Sequence, residues 1–365
     1  MKTFMEDHAF LFDLLNTPSP TGFELAGQRK WAAYVRPLAD RVENDAYGTA
    51  WATLDARAAK GGAPKRIMLE AHADEIGFIV KQITKEGFLR IDRIGGSDTA
   101  TARGRRLEIL GDNGPVRGII GNTAIHLRKD SLGDEKAPKI HELYVDVGAS
   151  NPEEVAALGL RVGHPAVYAD QAEKLGSRYI VSRALDNRAG GYILSQVLAN
   201  LSARKEELRS TVQVVNAVQE EIGGHGAKMV AHRIMPDVCI VLDVTHATDT
   251  PGIDQAMHGE VKLGGGPSVT HGTCNHPAVV ARLLEVAQQL KIPIQHESSS
   301  RYSGTDTDVI FETREGIPSA LVSLPLRYMH SVVEMADLED VKQVIALLTA
   351  FVESVCETDS FGVTL

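Results

Sequence analysis

Four short apolar segments constrain this chain more than any other feature. Arg66–Ala71, Thr211–Val218, Val238–Leu242 and Ser319–Leu324 are mostly apolar and β-branched, without strict alternation. That is the pattern of strands buried on both faces of a parallel sheet. Apolar residues at helical spacing mark Thr21–Leu38, Asn187–Leu201, His276–Leu290 and Leu338–Val355 between or beside them. The run PSPTGFE at 18–24 reads as the cap of the first helix. Strands alternating with helices predict an α/β sheet with helices on both faces.

The stretch 77–163 follows another pattern. Short alternating segments (Gly77–Ile83, Phe88–Ile91, Leu107–Leu110) are punctuated by Gly95-Gly96, Gly111-Asp112-Asn113-Gly114 and Gly121-Asn122, and the only helical pattern is Asn151–Leu158. This predicts a small β-rich unit, a barrel or sandwich. The expected organisation is therefore an α/β domain in two segments, 1–76 and 164–365, split by an insert at 77–163. Ala56–Pro64 reads as an exposed loop. The insert holds 13 Lys and Arg against 12 Asp and Glu, a net of +1, so the α/β part carries −11 and the whole chain −10.

Composition narrows the function. An acidic chain without a basic stripe is a poor nucleic-acid binder. No apolar run reaches the ~18 residues of a membrane span. Glu6, Asp7 and His8 stand where a signal peptide would be apolar. Cys239, Cys274 and Cys356 are odd in number, scattered and free of CxxC, which fits a reducing compartment. The expectation is a cytoplasmic protein that binds neither nucleic acid nor membrane.

Each apolar segment runs into polar groups: His72-Ala73-Asp74-Glu75, Gln219-Glu220-Glu221, Asp243-Val244-Thr245-His246, and, through Pro325, Arg327-Tyr328-Met329-His330. Ligands of open α/β sheets bind beyond the carboxyl ends of the strands, so these groups converge on one crevice. Asp186 adds a carboxylate at a helix start, where amide donors hold it. Two histidines and several carboxylates, without cysteine, suit zinc, cobalt or manganese. Asp186, Glu221 and Asp243 carry three negative charges. Two divalent cations and a bridging hydroxide neutralise them, whereas one cation leaves the site over-anionic. Two such ions clamp an attacking water between them. Asp74 can accept the spare ring N–H of His72, and Glu220 can act as a general base that does not bind metal. His141-Glu142 and His296-Glu297 lack the second histidine of HExxH, GxSxG is absent, and Gly223–Gly226 is no phosphate loop. Gly95-Gly96 reads as a turn.

In this order, AHADEIG, ALDNRAGG, AVQEEIGGHGA, LDVTHATDTPG and RYMHS, with PSPTGFE before them, resemble the tetrahedral metallo-aminopeptidases. These include glutamyl and deblocking aminopeptidases and cellulase-M-like proteins. The resemblance runs from Pro18 to Glu334. It implies a dinuclear zinc aminopeptidase-like αβα sandwich with an inserted β-barrel used for dimerisation, and in many members a twelve-subunit tetrahedron. It implies one metal on His72 and Asp243, a second on Glu221 and His330, Asp186 bridging, Glu220 as base and Asp74 as orienting acid. The implied activity is removal of N-terminal residues from short peptides with two divalent ions per subunit, zinc first, then cobalt or manganese. Ala73, Gly224, His225 and Asp308 depart from the family pattern. They leave the ligand set intact and bear on the substrate pocket. His225 and Asp306 are the candidates for substrate contact, with turn formation as the other role for Asp306 and Asp308. His246 is placed outside the ligand set. Two other readings use the same residues: a deacylase of blocked small peptides, and an oligomeric binding protein without activity.

Overall fold

The computed structural model describes residues 8–60, 62–127, 136–363 and 365. Most of the N-terminal stretch weighed as a signal peptide (residues 1–7), and Gly61 of the expected loop, lie outside them. The strands in chain order are β1 (Arg41–Asn44), β2 (Ala50–Leu54), β3 (Arg66–His72), β4 (Gly77–Ile83), β5 (Leu89–Ile94), β6 (Arg106–Gly111), β7 (Gly114–Ile120), β8 (Val145–Asp146) and β9 (Pro165–Tyr168). They continue as β10 (Glu173–Leu175), β11 (Tyr179–Ser182), β12 (Thr211–Ala217), β13 (Val238–His246), β14 (Ser268–His271), β15 (Gln295–Ser298), β16 (Ser319–Leu326) and β17 (Glu334–Asp337).

The large sheet has eight strands in the order β1-β2-β12-β3-β13-β16-β14-β15. Its four central strands are the four apolar segments, paired parallel throughout. Their side chains alternate between two cores. Ile67, Leu69, Val212, Val214, Val238, Ile240, Ala320 and Val322 pack on one face, with the helices Leu185–Ser202, Pro277–Leu290 and Leu338–Ser354. Met68, Val215, Cys239, Val241 and Leu321 pack on the other, against Ala227, Val230 and Ala231 of the helix His225–Ile234. Burial on both faces is why these strands read as continuous apolar runs.

The insert closes into a six-stranded barrel, β4-β5-β8-β7-β6-β9, around Phe78, Val80, Leu89, Ile91, Leu107, Ile109, Val145 and Tyr168. Its last strand, β9, lies beyond the expected boundary at 163. Pro165–Tyr168 pairs with both β4 and β6 and shuts the barrel. A three-stranded sheet, β10-β11-β17, completes the fold. Among the described residues, no helix is long and apolar enough to cross a membrane.

A helix at Ala9–Leu15 comes first, and the helix expected from Thr21 starts at Leu25. Glu24 makes no cap bond to it. Its carboxylate accepts instead from the N–H groups of Gly22 (2.7 Å) and Gln219 (3.2 Å), tying PSPTGFE to the turn after β12.

Candidate metal centre

Four central strands and one helix start deliver the polar groups. His72 is the last residue of β3. The turn carrying Glu220 and Glu221 follows β12. Asp243 lies inside β13 rather than beyond its end, because Val244 and Thr245 extend the ladder against Leu324 and Pro325 of β16. His330 follows β16 with φ +60°. Asp186 sits at the start of Leu185–Ser202 with non-helical backbone. Asn187 anchors that start, donating to the Leu242 carbonyl (2.8 Å) and accepting from Gly190 N–H (3.0 Å).

These residues form two three-residue clusters that share Asp186. One is His72, Asp186 and Asp243; the other is Asp186, Glu221 and His330. Within each, one ligand atom per residue lies within 4.8 Å of the others. His72 Nε2 is 3.1 Å from Asp186 Oδ1 and 3.6 Å from Asp243 Oδ1. His330 Nε2 is 3.2 Å from Asp186 Oδ2 and 3.7 Å from Glu221 Oε2. Each oxygen of one carboxylate thus faces a different imidazole. Glu220 belongs to neither cluster, though its Oε2 comes within 3.9 Å of His72 Nε2.

Asp74 sits behind the first cluster. Its Oδ1 faces His72 Nδ1 at 3.4 Å, leaving Nε2 directed at the cluster. The same carboxylate accepts from the N–H groups of Glu220 (3.0 Å) and Glu221 (3.2 Å) and from Thr21 Oγ1 (2.8 Å). One buried carboxylate therefore orients the histidine and holds the turn bearing both glutamates.

Sequence reading missed the supports of the second cluster. Glu334 accepts from His330 N–H (2.8 Å) and Asp186 N–H (3.1 Å), fixing the backbones of two candidate ligands. Its position four residues after His330 was the available signal. Gly95 and Gly96, read only as a turn, press against the site. A Cβ at Gly96 would stand 2.5 Å from His330 Nδ1, and one at Gly95 would stand 3.0 Å from Glu221 Oε2.

The electrostatics ask for cations. Burial pushes Glu220 up to about 10, only partly countered by His72. Burial and then Asp186 hold Glu221 well above the carboxylate range, and burial raises Asp243 as well. Asp186 goes the other way: burial would raise it, but the imidazoles of His330 and His72 more than reverse this. Contact with Asp186 lifts His330 to about 9. His72 is raised well above its ordinary value, its carboxylate neighbours overriding burial. A second buried pair, Glu70 and Asp306, also rises through burial, Glu70 to about 8. Carboxylates crowded at this depth stay ionised only with positive charge among them. The donor set of imidazole and carboxylate, with Asp186 offering one oxygen to each side, fits two divalent ions.

The clusters open into a cavity of about 680 Å³ lined also by Thr245, His246, Ser303, Thr305, Asp308 and Met329. Neither substrate-contact candidate lines it. Asp306 is 1% exposed, drawn beneath the wall beside Glu70, where a Cβ on Gly224 would meet its Oδ1 at 2.8 Å. His225 is exposed at the start of its helix. Asp308, two residues on from Asp306, is the one that faces the cavity.

Residues 55–347 match the M42 glutamyl aminopeptidase family. The lysyl aminopeptidase of Pyrococcus furiosus is 33% identical over 356 residues, covering 97% of this chain and 99% of that protein. An aminopeptidase from the archaeon Desulfurococcus kamchatkensis superimposes with a TM-score of 0.88 at 33% identity, over 96% of each chain. The Pyrococcus horikoshii TET1 peptidase, which can assemble into a tetrahedron or a large octahedral shell, superimposes with a TM-score of 0.82 at 28% identity, over 95% of this chain and 99% of that one.

Proposed function

The chain belongs to the M42 glutamyl aminopeptidase family, and from that membership we propose a dinuclear metallo-aminopeptidase that removes N-terminal residues from short peptides. The observation that carries the two-metal reading is Asp186, whose oxygens face His72 and His330 at 3.1 and 3.2 Å. His72 and Asp243 would hold one ion, Glu221 and His330 the other, and Asp186 would bridge them. Zinc suits this set, with cobalt or manganese as substitutes. Bound there, divalent cations polarise the scissile carbonyl and acidify the attacking water.

The chain's own groups do the rest. Glu220, outside both clusters, takes the proton of the attacking water and passes it to the leaving amine. Asp74 holds the His72 ring and, through two backbone N–H groups, the turn that aims Glu220. The negative cavity receives the peptide's α-ammonium. The barrel serves as a dimerisation unit of a larger homo-oligomer, a reading supported by the assemblies of the Pyrococcus horikoshii relative. Three free cysteines are compatible with action in the cytoplasm.

Glu220→Gln tests the mechanism. Metal analysis is expected to show two ions per subunit retained, while turnover of amino-acid amides falls by about 10²–10⁴. Wild-type-like rates in that variant would remove Glu220 as the base.

A further inference from the structure

We propose that Glu24 is a positioning residue for the general base: its side chain aims the turn that carries Glu220, and does so through its negative charge. This rests on the aminopeptidase reading and adds to it a group that belongs to neither metal cluster and does not line the cavity. Three successive backbone N–H groups open that turn, and each donates to a buried carboxylate. Those of Glu220 and Glu221 go to Asp74. That of Gln219 goes to Glu24 Oε1 at 3.2 Å, and Gly22 N–H reaches the same oxygen at 2.7 Å. Glu24 is 4% exposed. It stands just before the helix Leu25–Val35 without capping it, so its carboxylate is free to serve the turn.

The turn needs this anchor. Gln219 has φ +61°, a left-handed conformation that is costly for a residue with a Cβ. β12 ends at Ala217, so the Gln219 N–H has no place in the ladder. Its carbonyl accepts from His225 N–H at 3.2 Å, and Glu24 takes the N–H on the other side. The backbone direction leaving Gln219 sets where the next side chain, Glu220, points. The charge of Glu24 matters to this hold. Burial pushes Glu24 up to about 7, opposed by Gly22 N–H, increased by Asp74 and opposed again by Gln219 N–H. Arg188, on the helix Leu185–Ser202, is a cation whose charge favours the ionised form, and Glu220 and Glu221 are the charged groups of the turn itself. A bond that favours ionisation of a carboxyl is, by linkage, tightened when that carboxyl ionises. The buried charge costs folding free energy, but while Glu24 stays buried its bond to Gln219 is firmer in the ionised form than in the neutral one.

The test uses the metal-loaded protein with leucine amide as the probe. Glu24→Ala is expected to lower kcat by about 10–100-fold, with KM within about threefold of wild type and the wild-type metal content on metal analysis. Glu24→Gln keeps an acceptor oxygen of the same shape without the charge. Its kcat should match wild type within about twofold near pH 6 and fall behind by about three- to tenfold at pH 8, the ratio turning near the value of about 7 to which burial brings Glu24. Titration of the other groups of the site cancels in that ratio. Hydrogen exchange of residues 218–224, compared between wild type and Glu24→Ala at one pH, gives a readout that needs no turnover. Faster exchange there, with β3 unchanged, supports the anchor even if wild type cleaves no amide, a result that would count against the aminopeptidase reading alone. Wild-type kcat in Glu24→Ala overturns the proposal, as does a lower kcat accompanied by loss of metal. Should the alanine variant not fold, the glutamine variant decides: a wild-type-to-Gln ratio that stays fixed from pH 6 to pH 8 overturns the proposal, because a merely structural contact would not follow the charge.

Discussion

The two halves of the candidate metal centre are built by different parts of the molecule. His72 and Asp243 stand on β3 and β13, adjacent strands in the middle of the sheet. The His72 side chain is 2% exposed. Glu221 and His330 stand on turns, and the His330 side chain is 35% exposed with φ +60°. Their supports differ as well. His72 leans on Asp74, two residues along the same chain segment. His330 leans on Glu334 and on the Gly95-Gly96 turn that follows β5 of the barrel. The sheet thus fixes one half, while the other depends on the insert. The difference teaches that a barrel expected to serve assembly also shapes a wall of the site.

The largest effect should come from the residue the two halves share. Asp186→Ala removes the carboxylate that faces both histidines. The expected result is loss of both ions, read by metal analysis after dialysis, with circular dichroism confirming the fold. Retention of one tight ion would show that the halves are independent and that Asp186 serves only one of them.

Gly96→Ala separates them. Gly96 does not have the positive φ of Gly95, so alanine is tolerated by its backbone. Its new Cβ, however, would stand 2.5 Å from His330 Nδ1, and the ring must move. Displacing a ligand by disturbing what orients it typically costs about 10–100-fold in metal affinity. Stepwise metal titration should therefore show one affinity weakened on that scale and the other kept. Equal weakening of both, or of neither, breaks the comparison.

The same contrast explains what was legible in the sequence. The four central strands, the candidate ligands and Asp74 could be read because burial on both faces leaves a continuous apolar run, and a polar residue ending such a run is conspicuous. The edge strands β1 and β15 carry mixed patterns, being partly exposed, and gave no such signal. Glu24, Gly96 and the contact of Glu334 with Asp186 were unreadable as supports because each acts across the fold. Glu334 binds a backbone N–H 148 residues away, and Glu24 one 195 residues away. Asp306 was misplaced for a related reason. Its neighbours in sequence line the cavity, but the start of the helix Thr307–Ile310 turns its carboxylate inward beside Glu70. The matching cavity residue is Asp308.

The smallest effect concerns pH, and it tests whether the two halves also differ in firmness. In metal-stripped protein, burial holds Glu70 at about 8 and Glu220 at about 10, and contact with Asp186 holds His330 at about 9. All three folded values lie above the ordinary ones, so the folded state binds more protons than the unfolded state between pH 6 and 10. The stability these groups contribute is present at low pH and is lost as pH rises through their folded values. Asp186, shifted the other way, changes only at acid pH and does not oppose this. The melting temperature of metal-free protein should therefore fall by roughly 5 °C or more from pH 6 to pH 10. Saturating metal should reduce the fall, because His330 is then deprotonated at both ends and the added positive charge lowers Glu220 and Glu70 toward their ordinary values. Hydrogen exchange, corrected for its intrinsic pH dependence, should show the loosening begin at residues 327–333, which carry His330 on a turn, while β3 stays protected. Opening that starts in β3, or that spreads evenly over both, would mean that the sheet gives His72 no firmer seat than the turn gives His330.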